Sequence, residues 1–178
     1  GAFAYCYSLT SVTIPDSVTT IRDSAFFGCH SLTSVTIGDS VTTIGKRAFY
    51  NCDSLTSVTI GDSVTTIGGD AFYGCKNLTS VALSTTVKSI GSKAFAMCTK
   101  LKGINLQNVQ TVGEHAFFGC KSLKTLKCGS ALKVIGAYAF ENCSAIDTFV
   151  QSPVLLYVGN YAFAGCSALP SISFPNSV

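Results

Sequence analysis

Eight of the nine cysteines stand at Cys6, Cys29, Cys52, Cys75, Cys98, Cys120, Cys143 and Cys166, separated by 23, 23, 23, 23, 22, 23 and 23 residues. Few features constrain a fold as tightly as a fixed period of this size. Three residues before each of these cysteines is a phenylalanine (Phe3, Phe26, Phe49, Phe72, Phe95, Phe117, Phe140, Phe163), always preceded by alanine, and three residues after it is Leu or Ile. The unit reads AF-x-x-C-x-x-L-x-x-V-x-I, a turn, then V-x-x-I-G. A unit this small cannot bury its own apolar face, so copies must stack and each must cover the next.

Spacing inside one unit predicts its local structure. In Leu32-Thr33-Ser34-Val35-Thr36-Ile37, aliphatic and hydroxyl side chains alternate, the pattern of a strand with one buried face. Asp39-Ser40 turns the chain, and Val41-Thr42-Thr43-Ile44 is short and β-branched enough to be a second extended segment. Ala48, Phe49 and Cys52 then sit at i, i+1 and i+4, which predicts a single helical or 3-10 turn. The residue before the repeat cysteine is Gly or Asn in six of eight copies, Tyr5 and Met97 being the exceptions, which predicts a left-handed backbone there. A glycine after the second segment (Gly45, Gly68, Gly91, Gly113, Gly136, Gly159) marks a tight corner; Arg22 in the same column shows that φ need not be positive.

Successive strands then pair in parallel, one per coil, about 4.8 Å apart. Inward positions such as Leu32, Val35, Ile37, Val41, Ile44, Ala48, Phe49 and Cys52 form ladders along the axis. The structural ladders are Phe26, Phe49, Phe72, Phe95, Phe117 and Phe140, with Cys29, Cys52, Cys75, Cys98, Cys120 and Cys143 beside them. The single 22-residue interval falls at Leu106-Gln107-Asn108-Val109, one residue short of Ile37-Gly38-Asp39-Ser40-Val41, so it shortens a surface turn and spares the core register. Gln151 occupies the column of Ile14, Ile37 and Ile60 and is followed two residues later by Pro153, which predicts a distorted strand around Phe149. Cys128 lies in that column too, as a small apolar replacement.

The motif L-x-x-V-x-I together with SVTTIG, AF-x-x-C and IPDSV resembles the BspA-type, or treponemal-type, leucine-rich repeat. The resemblance covers the whole chain and implies a repeat solenoid of the leucine-rich repeat type: the α/β horseshoe class, predominantly β, right-handed and curved. A parallel sheet with one strand per coil would line the concave face, with the second segment and the short turn on the convex side. It implies one domain over residues 1–178, about seven and a half repeats, and a fragment of a longer array cut mid-repeat at both ends. It also implies a surface or secreted protein of the adhesion type, placed extracellularly or at the cell surface.

No catalytic constellation, metal site or cofactor motif is found. Like cysteines in adjacent coils come within disulfide distance, but parallel inward side chains do not turn toward one another, which favours buried free thiols over bridges; a line of single cysteines does not cluster ligands for a metal. His30 and His115 fall in columns read as solvent-facing. Asn77-Leu78-Thr79 and Asn142-Cys143-Ser144 fit the glycosylation pattern, yet both lie beside buried ladder positions and are read as chance matches.

Charge and composition narrow the function classes. With 12 basic and 9 acidic side chains, net +3, bulk-charge nucleic-acid binding is not expected; 47 % apolar content excludes disorder, and no apolar run is long enough to span a bilayer. The strip Ser11, Thr13, Ser34, Thr36, Ser57, Thr59 and Ser80 makes the early sheet face a neutral hydroxyl surface. Later coils carry Ala82, Gly103, Asn105, Thr125, Lys127, Thr148 and Val150 instead. Residues 1–75 hold 3 basic and 6 acidic groups, residues 76–135 hold 9 and 1, and the remainder holds 2 acidic. The expected partner-binding residues are therefore Lys102, Asn105, Lys124, Thr125 and Lys127, on a non-enzymatic module recognising a protein or glycan, with an acidic partner favoured. The alternative is a structural spacer or self-associating stalk: Ser31–Gly45 and Ser54–Gly68 are nearly identical, and uncapped ends predict end-to-end association.

Overall fold

A computed structural model describes residues 1–178. Each coil contributes one longer and one shorter strand, in chain order β1 (Ser11–Ile14), β2 (Thr20–Ile21), β3 (Ser34–Ile37), β4 (Thr43–Ile44), β5 (Ser57–Thr59), β6 (Thr66–Ile67) and β7 (Ser80–Ala82). The series continues as β8 (Ser89–Ile90), β9 (Gly103–Leu106), β10 (Thr111–Val112), β11 (Thr125–Cys128), β12 (Val134–Ile135), β13 (Thr148–Val150) and β14 (Tyr157–Val158). The odd-numbered strands form one seven-stranded parallel sheet and the even-numbered strands a second. Register follows the period: Val12 pairs with Val35 and Val35 with Val58. Across the shortened turn the interval drops by one, Leu106 pairing with Cys128, while both stay buried.

The third side of each coil differs from the sequence expectation. It contains no helix. Ala25 N–H donates to Arg22 O at 3.2 Å, Phe27 to Ser24 at 3.2 Å and Cys29 to Phe26 at 3.3 Å, three turns that start two residues apart. The intervening amides point along the axis instead: Ser24 donates to Lys46 O at 2.8 Å, Phe26 to Ala48 O at 2.7 Å and Gly28 to Tyr50 O at 2.8 Å. A helical turn would use these amides internally and leave this side of the stack unpaired. With this ribbon on the third side and a parallel sheet on each of the other two, neighbouring coils are joined by backbone hydrogen bonds on all three sides, as buried backbone requires.

Two columns of positive φ make this ribbon possible. One is the residue before the repeat cysteine, from Gly28 (φ 68) and Asn51 (φ 54) to the exceptions Tyr5 and Met97, both at φ 61. The other is Ser24, Arg47, Asp70, Lys93, His115, Tyr138 and Tyr161, with φ from 54 to 58, and no glycine in it. The corner glycines have a separate cause. A Cβ on Gly68 would meet the Gly45 carbonyl carbon at 2.7 Å and Lys46 N at 2.8 Å, so the column stays bare because backbones of successive coils nearly touch.

The interior is one continuous cluster. Phe26, Phe49, Phe72, Phe95, Phe117 and Phe140 are at most 3 % exposed, and consecutive rings lie 5.2 to 5.4 Å apart and within 6° of parallel. Offset stacking at this distance adds to the burial term, about 1.5 to 3 kcal/mol per large side chain. Strand β13 keeps regular register, Leu126 with Phe149 and Lys127 with Val150. The distortion expected around Phe149 is confined to the residues after Val150, where Gln151 lies half-buried and its Oε1 lacks a partner.

The two ends differ. Phe3 stacks on Phe26 at 5.2 Å but is 51 % exposed. At the other end Phe163 is half-buried beneath Phe149 and Phe174.

Candidate functional site: the exposed face of the longer-strand sheet

Along β1, β3 and β5 the outward side chains are Ser11, Thr13, Ser34, Thr36, Ser57 and Thr59, all exposed. One column over, hydroxyls turn back into the backbone: Thr33 Oγ1 donates to Thr10 O, Thr56 to Thr33 O and Thr79 to Thr56 O, at 2.9 to 3.0 Å. The first half of the face is therefore a flat surface whose edge hydroxyls serve coil-to-coil cohesion. Between β7 and β9 backbone pairing narrows to Ser80 with Gly103, and at Gly103 an added Cβ would have open space around it.

Beyond that point the five expected partner-binding residues come together. Asn105 and Lys127 are direct cross-strand neighbours, as are Gly103 and Thr125. Lys102 and Lys124 adjoin in the column just before the strands, where Lys124 N–H donates to Lys102 O at 3.2 Å. Lys102, Asn105, Lys124 and Lys127 are exposed and Thr125 is half-buried. They are not electrostatically equivalent. Lys124 Nζ lies 3.6 Å from Asp147 Oδ2 in the next coil, whereas Lys102 and Lys127 form no ion pair.

Two further lysines belong to this region and were not singled out in the sequence. Lys100 and Lys121, both exposed, sit on the corner that leads into β9 and β11. Lys100 Nζ donates to Asn77 Oδ1 at 2.8 Å. The signal that could have found such pairings is the period itself. Lys124 and Asp147, His30 and Asp53, Asp53 and Lys76, and Arg47 and Asp70 are each 23 residues apart, and each pair is in contact.

The acidic excess of the first half has a structural use. Asp39 N–H donates to Asp16 Oδ1 at 2.8 Å, Asp62 N–H to Asp39 Oδ1 at 3.0 Å and Lys46 N–H to Asp23 Oδ1 at 2.8 Å. These carboxylates hold the turn of the following coil.

His30 is exposed as expected; it stacks on Tyr7 at 5.6 Å and bonds Asp53 at 3.1 Å. His115 departs from the solvent-facing reading. It is half-buried and stacked on Tyr138 at 4.7 Å, because this column is the left-handed one whose side chains lie against the next coil. Asn77 has both ends of its amide engaged, Nδ2 with Asp53 O and Oδ1 with Lys100, and Leu78 and Cys143 at the centres of the two glycosylation-like triplets are fully buried.

All nine cysteines are free thiols. Each repeat thiol from Cys29 onward donates to the phenylalanine carbonyl of the preceding coil, at 3.1 to 3.3 Å. Burial pushes Cys52 and Cys128 up to about 12 and raises Cys75, Cys98 and Cys120; Cys143 is raised by its bond to the Cys120 thiol and then by burial. Such thiols are poor nucleophiles and poor metal ligands, because both roles require the thiolate.

The BspA type leucine-rich repeat region matches this sequence in six copies, over residues 1–109 and 89–178. Among solved structures the chain is similar to the T. pallidum leucine-rich repeat protein TpLRR, at 26 % identity and a TM-score of 0.84, over 92 % of this chain and 79 % of that one. It shares the fold of a leucine-rich repeat protein from Eubacterium ventriosum (18 % identity, TM-score 0.56, 95 % of this chain and 80 % of that one). It also shares the fold of the pneumococcal vaccine antigen PcpA (21 % identity, TM-score 0.56, 95 % of this chain and 51 % of that one). No curated protein matches the chain.

Proposed function

The chain belongs to the BspA type leucine-rich repeat family, and from that premise we propose that it is a non-enzymatic recognition module of a surface or secreted protein, binding a protein or glycan along the exposed face of its longer-strand sheet. One observation carries this reading. In adjoining coils, two exposed lysines without ion-pair partners, Lys102 and Lys127, stand beside Asn105 and Thr125 on a face whose backbone is locked by parallel pairing. A surface held by its own ladder presents side chains at fixed spacing without an ordering cost on binding, which favours recognition.

The test is a panel of immobilised glycans and extracellular proteins, probed with the chain and with a Lys102→Glu, Lys124→Glu, Lys127→Glu variant. Capture of a partner by the parent chain and its loss in the variant supports the reading. Equal capture by both would remove this face from it.

A further inference from the structure

We propose that the basic end of this face binds a linear, highly sulfated polysaccharide, an inference that rests on reading the face as a recognition surface and names its ligand. Five exposed lysines, Lys100, Lys102, Lys121, Lys124 and Lys127, fall within two consecutive coils, on the corner and the sheet face that it leads into. The carboxylate meeting them is Asp147, which takes Lys124. Glu114, in the same two coils, lies instead beside His115, its Oε1 3.3 Å from Nδ1, after the shorter strand β10. The field over Lys102, Lys121 and Lys127 is therefore left uncompensated.

The chemistry of the patch selects among polyanions. Every cation in it is a lysine. Guanidinium groups grip carboxylates or phosphates through two parallel hydrogen bonds, whereas ammonium groups act as point charges that tolerate varied anion orientation. Between the charges lie Asn105 and Thr125, which offer hydrogen bonds to hydroxyl groups, and Gly103, above which the face is open. Toward the first strands the surface continues as Ser57, Thr59 and Ser80, neutral and exposed.

The sheet face itself carries no outward aromatic side chain, the nearest being half-buried Phe118 beside Lys121 at the corner, so the face has no platform on which nucleic-acid bases would stack. Nor is there a buried aromatic or arginine anchor of the kind that dominates protein interfaces. Successive lysine columns lie one coil apart, about 4.8 Å. A linear polysaccharide laid along the axis advances by a comparable distance per sugar, so charges on consecutive sugars can meet lysines of consecutive coils while its hydroxyls meet the flat face.

The test is titration of the whole chain with a heparin-derived oligosaccharide long enough to span several coils, across a salt series, with its desulfated form, poly-glutamate and single-stranded DNA as competitors. Binding that weakens steeply with salt and is lost on desulfation is expected. Lys102→Glu with Lys127→Glu should weaken it by about tenfold or more. Asp147→Asn should tighten it roughly two- to fivefold, the gain from freeing Lys124 from a surface ion pair. Lys88→Glu with Lys133→Glu, at the entrance to the shorter strands β8 and β12, should leave it unchanged while altering net charge by the same amount.

Equal binding of poly-glutamate or DNA, an equal loss in the Lys88/Lys133 variant, or an unmoved Asp147→Asn variant would overturn the assignment. A chain that ignores the sulfated oligosaccharide yet captures a neutral glycan or a protein through Lys102, Lys124 and Lys127 would overturn only the sulfate assignment and leave the recognition reading in place.

Discussion

The thiol of Cys75 donates to the carbonyl of Phe49, 3.2 Å away and one coil earlier, and both residues are fully buried. Repeated along the stack, this contact ties the cysteine ladder to the phenylalanine ladder. It also makes stability depend on pH in a definite direction. A thiol whose folded pKa is raised holds its proton after the unfolded chain has lost its own, so the stabilisation is complete below about pH 9 and is lost as pH rises toward the folded value, about 12 at Cys52 and Cys128. Each such thiol removes about 1.4 kcal/mol per pH unit once the unfolded thiol ionises. With several acting together, melting temperature should be flat from pH 7 to 8.5 and fall steeply above pH 9. Cys98→Ala should melt lower at neutral pH and fall less steeply. A melting temperature unchanged up to pH 10.5 would contradict this account.

Position in the phenylalanine ladder should decide the cost of truncation. Phe72 is fully buried between Phe49 and Phe95, both at 5.2 Å, while Phe3 has a neighbour on one side only. Phe72→Ala should cost about 3 to 5 kcal/mol. Because coils contact only their neighbours, it should also split urea unfolding into two phases. Phe3→Ala should cost under about 1 kcal/mol and keep a single transition. Equal costs would show that the stack is not the main axial cohesion.

Strand register, the inward columns and the close corner at Gly68 were legible in the sequence because each leaves a residue-type signature at a fixed interval. The turn ribbon was not. Ala48, Phe49 and Cys52 at i, i+1 and i+4 bury the same side of a helical turn and of alternating β-turns. What separates the two is positive φ at Arg47, in a column filled by Ser24, Asp70, Lys93, His115, Tyr138 and Tyr161, whose types give no hint of it. The lysines of the candidate site could be read from charge bias. The pairing that removes Lys124 could be read only by comparing each charge with the residue one coil away.

Two glycines give opposite expectations for the same substitution. At Gly68 a methyl group would press on the Gly45 carbonyl carbon at 2.7 Å and Ile44 O at 2.8 Å, atoms fixed in the neighbouring coil. Gly68→Ala should therefore destabilise by about 1 to 3 kcal/mol. At Gly103 the new methyl meets nothing within 4 Å and φ is not positive, so Gly103→Ala should be neutral or stabilise by up to about 1 kcal/mol through the unfolded chain. Paired urea titrations check both.

The left-handed column before the repeat cysteine offers a stabilising change. Met97 holds φ 61 in a position that Asn51 and Asn142 fill at φ 54 and 58, and an unbranched aliphatic side chain is strained there where asparagine is tolerated. Its half-buried side chain packs over Gly119, where a Cβ would lie 2.9 Å from the Met97 sulfur; Asn51 and Asn142 lie over Gly74 and Gly165 in the same way, so asparagine keeps part of this contact and only the rest is lost. Relief of backbone strain should outweigh that loss. Met97→Asn is expected to raise stability by about 0.5 to 1 kcal/mol, seen as a melting-temperature increase of a few degrees with unchanged denaturant slope. A lower melting temperature would mean that the methionine contributes more by packing on the next coil than its backbone costs, and that side-chain contact rather than conformation sets this column.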